Sequence, residues 1–339
     1  MSLTPKYSNK AEESLLNFAT YFPLPYIVKA VMFSPYYYFL GEYSNAEKHA
    51  NELVQQHLKN HPNEENKVAI VTGGNTGIGF ETAHWLVKAK FHVILACRSQ
   101  EKAEVAIEKI KSDCGLNSKI EFIALDLTSF DSVKSFVKEF ESKDLPLNLL
   151  INNAGIMKIP EFERSKDGFE LTFQVNYLSH FLLYNLLKDK LIATNNSKLI
   201  NLSSLAHYMA SDGDFEDINN YQQYNDLAHY SKAKAAVVMS TYAFKRHISD
   251  QVQFHPGVVK TELFRYDSMA DKAVDIFGNY FMKTPLQGAM TTLRLALLDN
   301  IPKDSLYFAD ELPMQPTYWT KDIELQDKLW NLSKKLTCI

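Results

Sequence analysis

The stretch that most limits what this chain can become is Val68-Ala69-Ile70-Val71-Thr72-Gly73-Gly74-Asn75-Thr76-Gly77-Ile78-Gly79. An apolar, β-rich run passes without a spacer into a glycine-rich turn and then into the helical pattern Ile78 to Lys88. Glycines at such a turn let the backbone bend tightly and approach a pyrophosphate, whose charge is met by the amides at the helix N-terminus. A lone glycine cluster would say little, because many only make turns. Here strand, turn and helix stand in the order a dinucleotide cradle requires, so Gly73, Asn75, Thr76, Gly77, Ile78 and Gly79 are read as its backbone.

From Lys67 onward the same theme repeats. Apolar runs at Val68 to Val71, His92 to Cys97, Ile120 to Leu125, Asn148 to Asn152, Lys198 to Leu202 and Val252 to Phe254 alternate with helical patterns. Those lie at Ile78 to Lys88, Glu101 to Ser112, Phe130 to Ser142, Phe169 to Lys188 and Ala228 to His247. Such alternation predicts an α/β fold, one doubly wound parallel sheet with right-handed crossovers and ligands beyond the carboxyl ends of the strands. Thr284-Pro285-Leu286-Gln287 marks a further helix start, Tyr307-Phe308 a seventh strand, and Ile323 to Leu336 a closing amphipathic helix. A length of 339 residues admits two ordinary domains or one large α/β domain. With 46% hydrophobic and 22% charged residues the chain can bury a sizeable core, which excludes disorder. The formal charge of −4 and the lack of a basic run argue against nucleic acid as a partner. Cys97, Cys114 and Cys338 are too scattered for a disulfide framework or a paired zinc site, so no metal is expected and a reducing compartment fits.

Residues 1–65 form an extension ahead of a domain spanning 66–339. Between Glu13 and Glu42 the only charge is Lys29, and aromatic residues crowd the segment from Phe18 to Phe39. Its uncharged stretches, Ser14 to Val28 and Ala30 to Gly41, are 15 and 12 residues long and are broken by Pro23, Pro25 and Pro35, too short to span a bilayer as a helix. A secretory signal is a poor match, since Glu12 and Glu13 precede the apolar part. Tyrosines and phenylalanines favour the headgroup boundary, so the segment reads as a peripheral or monotopic membrane anchor. An arm packed on the protein's own body, or on a second subunit of a homo-oligomer, is the other reading. Residues 44–60 follow as a polar, mostly solvated helix leading to His61-Pro62.

Several residues sit where ligand chemistry belongs. At the end of the second strand, where an acidic residue would hold an unmodified ribose, stand Cys97 and Arg98. A guanidinium there suits a 2′-phosphate, so NADP(H) is favoured over NAD(H), unless Arg98 only makes a surface ion pair. Asp126, with Leu127 beside it, ends the third strand and could accept from an adenine amino group or simply cap a helix. Asn152-Asn153-Ala154-Gly155 suits close backbone passage beside a nucleotide, or a plain turn. Tyr230 and Lys234, four residues apart, share one face of a helix. A free tyrosine, with pKa about 10, is a poor acid-base group near neutrality, but a neighbouring ammonium stabilises the phenolate. Ser204, at the end of the fifth strand, offers a hydroxyl for a substrate oxygen, and Asn176 lies in the preceding helix. Singly these are common residues, and an isolated Tyr-to-Lys spacing is mostly a solvated helix face. Together, behind a dinucleotide turn and in this order, packing does not explain them.

In these motifs the chain resembles the short-chain dehydrogenase/reductase family over roughly residues 66–339. The resemblance implies a Rossmann domain and a catalytic tetrad of Asn176, Ser204, Tyr230 and Lys234. Tyr230 would exchange a proton with the substrate oxygen, Lys234 would also hold the nicotinamide ribose, Ser204 would position the oxygen and Asn176 would complete a water-linked relay. It further implies that Gly73, Gly77, Ile78 and Gly79 hold the pyrophosphate, Arg98 and Asp126 the adenosine half, and Asn153 the region near the ribose. Pro256, Gly257, Val259 and Thr261 look like the family's loop at the nicotinamide carboxamide. Ala96-Cys97-Arg98, Asp167-Gly168-Phe169, Ser203-Ser204-Leu205-Ala206-His207 and His255-Pro256-Gly257-Val258-Val259 resemble the retinol dehydrogenase-like branch. Lys283-Thr284-Pro285, Gly288 and Leu329-Trp330 bring polyprenol dehydrogenases nearest.

Two departures stand out. The run Tyr230-Ser231-Lys232-Ala233-Lys234 offers a second lysine, but pairing through Lys232 would put the tyrosine at Ala228, so Lys234 is kept. The other is the aromatic N-terminal segment itself. The expectation is an oxidoreductase that interconverts an alcohol and its aldehyde or ketone on a lipophilic retinoid, steroid or polyprenol-type substrate. It would be membrane-associated and face a reducing compartment, the endoplasmic reticulum or a lipid droplet in a eukaryote, or else be cytoplasmic. The apolar residues from Phe264 to Met282 could line its pocket or form a buried helix face, and the segment Leu205 to His229 could close the site or be a surface insertion. A catalytically silent nucleotide-binding sensor or scaffold, and an enzyme for small polar sugars, are the competing readings.

Overall fold

The computed structural model describes residues 45–62, 67–157, 159–211, 213–248, 253–258, 284–301 and 306–339. Within the compact unit Asn45–Ile339, the strands are β1 (Val68–Thr72), β2 (His92–Cys97), β3 (Ile120–Ala124), β4 (Leu149–Asn152), β5 (Lys198–Ser203), β6 (Gln253–Val258), β7 (Phe308–Ala309) and β8 (Leu312–Pro313). They form one sheet in the order β3-β2-β1-β4-β5-β6-β7-β8, parallel from β3 through β7, with β8 antiparallel at the edge. The strand order reverses between β1 and β4, so a crevice opens at the carboxyl ends of these two strands.

Helices cover both faces: α1 (Ala46–Asn60), α2 (Gly77–Lys88), α3 (Gln100–Cys114), α4 (Phe130–Ser142), α5, α6 (Lys188–Ala193), α7 (Asp226–His247), α8 (Pro285–Leu297) and α9 (Ile323–Thr337). Helix α5 is an α-helical turn at Leu171–Phe173, a π-helical turn at Gln174–Leu178 and an α-helical run at Ser179–Leu186, in direct succession. The alternation of side chains along β1 divides the core in two. Val68 and Ile70 pack with Phe136, Phe181, Phe244 and Trp330 on one face, Ala69 and Val71 with Leu53, Leu86, Ile110 and Leu293 on the other. Every residue of β1 is buried, as a strand covered on both faces must be.

Local chemistry agrees with this plan. Thr284 and Gln287 cap the start of α8 reciprocally, Gln287 N donating to Thr284 Oγ1 at 3.2 Å and Thr284 N to Gln287 Oε1 at 2.8 Å, with Pro285 in the first turn. At the other end of α8 the buried Lys198 ammonium donates to the carbonyls of Leu295, Ala296 and Leu298. These would otherwise be left as orphan acceptors.

Three expectations need correction. Helix α1 is not mostly solvated: Ala50, Leu53, Val54 and His57 are buried against the body, and His57 Nδ1 donates to the Leu297 carbonyl at 3.0 Å. These residues recur at helical spacing among polar neighbours, a narrow stripe in an otherwise polar run. Strand β6 extends to Val258, so Pro256 and Gly257, expected in a loop, stand in register with Asn201 and Leu202 of β5. The seventh strand is Phe308–Ala309, and an eighth follows a two-residue turn in which Asp310 and Glu311 both take positive φ, 50° and 65°. That turn favours Asn, Asp or Gly followed by Gly, so Asp310 suits its first position while Glu311 in place of glycine hides the signal. Between Ser204 and α7, Phe215 and Ile218 are buried in the core.

Three buried histidines make the fold acid-sensitive. Burial pushes His57 down to about 4, His180 to about 3 and His207 to about 4. Each stays neutral in the folded protein while the unfolded chain protonates near pH 6.5. Their contribution is therefore complete above pH 6.5 and is lost as pH falls from there toward 4. His49, raised by its hydrogen bond to Glu311, acts in the opposite direction. Urea unfolding at pH 7 and pH 5 should show a loss of roughly 1–2 kcal/mol per buried histidine, and an unchanged midpoint would contradict it.

Candidate active site

The crevice is built first by the turn after β1. Gly73 and Gly77 have φ of 64° and 57°, which L side chains rarely adopt. A Cβ at Gly79 would lie 2.4 Å from both the Gly73 carbonyl oxygen and Asn153 Nδ2, whereas one at Gly77 would meet nothing within 4 Å. Gly79 therefore closes the turn from beneath, and Gly77 leaves open space at the N-terminus of α2. Thr76 caps that helix in extended conformation with no side-chain cap bond. Open space, the first amides of the helix and a Thr76 hydroxyl that has no partner among the described residues together fit a bound pyrophosphate. Asn75 and Ile78 are partly buried in the same turn.

The run after β4 braces this turn. Asn153 Nδ2 donates to the Thr72 carbonyl at 2.8 Å, and the amides of Asn153 and Ala154 both donate to Thr72 Oγ1 at 2.9 Å. The Asn153 side chain is thus a strut under the cradle. Arg98 is exposed beyond β2 and makes no ion pair or hydrogen bond among the described residues. Asp126 is engaged: Oδ1 accepts from Thr128 N and Oγ1, and Oδ2 from Lys166 Nζ at 2.7 Å. Leu127 is buried in the core, and its carbonyl accepts from Ser179 Oγ at 2.6 Å. Val259 and Thr261, the apolar residues from Phe264 to Met282, and the aromatic N-terminal segment all lie outside the described residues.

Beyond the cradle, Asn176, Lys234 and Gly155 converge. A Cβ on Gly155 would stand 3.0 Å from Asn176 Oδ1 and 3.5 Å from Lys234 Nζ. Asn176, in the π-helical turn, pairs with Ile156 in both directions: Oδ1 accepts from Ile156 N at 2.8 Å and Nδ2 donates to Ile156 O at 2.9 Å. Its side-chain amide is committed to that bracket, which leaves its main-chain carbonyl as an acceptor.

Tyr230 and Lys234 lie on α7, at 3% and 5% exposure. Asn225 caps the helix, its Oδ1 accepting from Ala228 N at 2.8 Å, so the first turns are fixed where Tyr230 sits. Lys234 Nζ donates to the Leu202 carbonyl at 2.9 Å and lies 5.7 Å from the centroid of the Tyr230 ring. Burial pushes Lys234 down to about 8, so it remains mostly cationic at neutrality. Lys232 points elsewhere, donating to the Asp214 carbonyl at 3.0 Å, which supports Lys234 as the lysine of the site. The two serines divide similarly. Ser203 Oγ donates to the Lys234 carbonyl at 2.8 Å, while Ser204, at the end of β5, accepts from Ala206 N at 3.2 Å.

Sequence reasoning missed Thr72 and His207. Thr72 stands at the head of the glycine run without a role of its own in that reading, yet its hydroxyl organises the turn after β4. His207 falls inside a family-like run that assigns it no role. In the fold its Nδ1 donates to the Ser204 carbonyl at 2.8 Å and its Nε2 accepts from Thr317 N at 3.3 Å.

The family model for short chain dehydrogenases matches residues 67–271. The chain belongs to that family. It is 38% identical to the human polyprenol dehydrogenase over 248 residues, 70% of this chain and 74% of that one. To mouse retinol dehydrogenase 13 it is 41% identical over 258 residues, 72% of this chain and 75% of that one. Among solved structures, an uncharacterized protein from Mycobacterium paratuberculosis matches with a TM-score of 0.63 and 28% identity, covering 80% of this chain and 93% of that one. A short chain dehydrogenase from Escherichia coli CFT073, complexed with NADPH, matches with a TM-score of 0.55 and 17% identity, covering 73% and 98%. The protein is thus a retinol dehydrogenase-like short-chain dehydrogenase/reductase, an NAD(P)-dependent oxidoreductase of the alcohol dehydrogenase or carbonyl reductase type.

Proposed function

We propose that this chain is an NADP(H)-preferring oxidoreductase that interconverts an alcohol and its aldehyde or ketone on a lipophilic substrate of retinoid, steroid or polyprenol type. The observation that carries this reading is the buried Tyr230–Lys234 pair on α7, beside Gly155 and Asn176 and behind the phosphate turn. When bound, the nicotinamide cofactor donates or accepts the hydride. Tyr230 gives a proton to the substrate oxygen in reduction and takes it in oxidation. Ser204 holds that oxygen, and Lys234 supplies the charge that favours the phenolate. In this reading the Asn176 carbonyl would accept from a water that also meets the Lys234 ammonium, so that the proton can be replaced from solvent. The names of the polyprenol and retinol dehydrogenase relatives support the lipophilic substrate class.

The aromatic N-terminal segment would hold the protein at a membrane surface facing a reducing compartment. Among the described residues no helix is long and apolar enough to cross a membrane. The deciding experiment is turnover of retinol, steroid and polyprenol substrates in detergent with each cofactor, followed by absorbance of the reduced nicotinamide. Activity on small sugars alone, or on none of these, would overturn the reading.

Cofactor preference has its own test. Exposed Arg98 stands where an acidic residue would hold an unmodified ribose. Arg98→Asp should lower kcat/KM with NADPH about ten- to a hundred-fold, the loss of one charge-assisted phosphate contact, and raise it with NADH. A variant that keeps its NADPH preference would remove Arg98 from the adenosine site.

A further inference from the structure

His180 lies on α5, one turn beyond Asn176, buried at 4% exposure and unused by the mechanism above. Its Nε2 is 3.0 Å from Thr72 Oγ1 and its Nδ1 3.4 Å from the Asn176 carbonyl oxygen. Two backbone amides, of Asn153 and Ala154, already donate to Thr72 Oγ1. The hydroxyl's two acceptor positions are thereby filled, so its own proton must point outward. The choices are His180 Nε2 at 3.0 Å and the Ile151 carbonyl at 3.5 Å, and the nitrogen is nearer. An Nε2 that accepts leaves the proton on Nδ1, which then donates to Asn176. Burial, helped by the neighbouring Lys234 charge, pushes His180 down to about 3, so the ring keeps the neutral form this chain of bonds requires.

We infer that His180 is a positioning residue, a two-sided tie that fixes the Asn176 carbonyl to the Thr72–Asn153–Ala154 corner of the cofactor cradle. Three features meet there. The side chain of Asn176 is bonded to Ile156 at both ends, and its main-chain carbonyl is the acceptor that the proton-relay reading uses. That carbonyl sits in a π-helical turn, where the regular helix spacing is interrupted. Thr72 closes β1, so its hydroxyl moves with the turn that carries the phosphates. Through His180 the parts that hold the cofactor and the part that handles the proton share one hydrogen-bonded path. Loss of the tie should disturb the proton step more than cofactor binding.

This inference rests on the oxidoreductase reading, and the test separates the two. Asparagine can replace the Nδ1 donor and glutamine the Nε2 acceptor, while phenylalanine keeps the ring and loses both. In the full-length protein His180→Phe should lower kcat about ten- to a hundred-fold, the scale of a small misplacement of a reacting group, with the dissociation constant for NADPH near that of the wild type. His180→Asn should recover part of the loss and His180→Gln less. Equal kcat in wild type and His180→Phe, or loss of kcat only in step with NADPH binding and thermal stability, would overturn it. The second measurement needs no substrate. Nitrogen-15 NMR of the histidines should find His180 neutral, with its proton on Nδ1, throughout pH 5 to 8. A proton on Nε2, or a charged ring at pH 6, overturns the assignment even if the enzyme reading stands; an inactive wild type with the expected tautomer counts against the enzyme reading alone.

Discussion

Tyr230→Phe is expected to bind NADPH as the wild type does and to lose turnover by about a hundred- to ten-thousand-fold, the range seen when a positioned acid-base group is removed. The substitution deletes a single oxygen. The ring that packs beneath Lys234 stays, and so does the ammonium's bond to the Leu202 carbonyl. The proposed cofactor contacts lie in the turn after β1 and at Lys234, which the substitution leaves in place, so equilibrium titration with NADPH should be nearly unmoved. That separation is what distinguishes an enzyme from a nucleotide-binding scaffold. A scaffold would show the same biological output with either residue. If kcat fell and NADPH binding collapsed with it, Tyr230 would be a structural residue of the site.

Gly79→Ala should act at the opposite end of the crevice. The added methyl would lie 2.4 Å from the Gly73 carbonyl oxygen and 2.4 Å from Asn153 Nδ2, distances at which atoms cannot rest. The amide of Asn153 can swing away only by giving up its bond to the Thr72 carbonyl, and the carbonyl of Gly73 can move only by reshaping the phosphate turn. Overpacking of this kind costs about 1–3 kcal/mol, and here the strain falls on the backbone that faces the pyrophosphate. The expected result is NADPH affinity reduced at least about tenfold, with a lower unfolding midpoint, as read by calorimetric titration and thermal melts. Gly77→Ala should behave differently in one respect. Its Cβ meets nothing within 4 Å among the described residues, so loss of binding there would arise from the positive φ and from the space the proposed phosphate would fill. Undiminished affinity in Gly79→Ala would mean that the turn does not carry the cofactor.

Much of this arrangement was legible in the sequence because it is periodic or chemically singular. The strands β1 to β5 follow from apolar runs of strand length, and the start of α8 from a Thr-Pro-x-Gln signal that the structure reproduces bond for bond. The glycines at 73, 77 and 79 and the Tyr230–Lys234 spacing declare themselves by type and order. What stayed hidden depends on contacts between distant residues. The stripe on α1 becomes a buried face because α8, more than two hundred residues later, packs against it together with α2. The turn at Asp310–Glu311 takes a left-handed shape without the usual glycine, with Glu311 held by Thr291 and His49. Strand β6 runs through Pro256 because β5 lies beside it in register. Thr72 and His180 are ordinary residues in the primary structure; only the fold sets one against the other.

Catalysis of this kind requires Lys234 to make Tyr230 a stronger acid. Lys234 Nζ lies 5.7 Å from the centroid of the Tyr230 ring, near enough for an ammonium to favour the phenolate. Burial lowers Lys234 to about 8, so the effect belongs to the neutral range and fades as the lysine loses its proton. The direct measurement is a titration of Tyr230 by carbon-13 NMR in the NADP-loaded protein, in the wild type and in Lys234→Met. Tyr230 should ionise below the ordinary phenol value of about 10 in the wild type, with a clear rise in the variant. Ionisation at the same pH in both proteins would contradict a role for the ammonium.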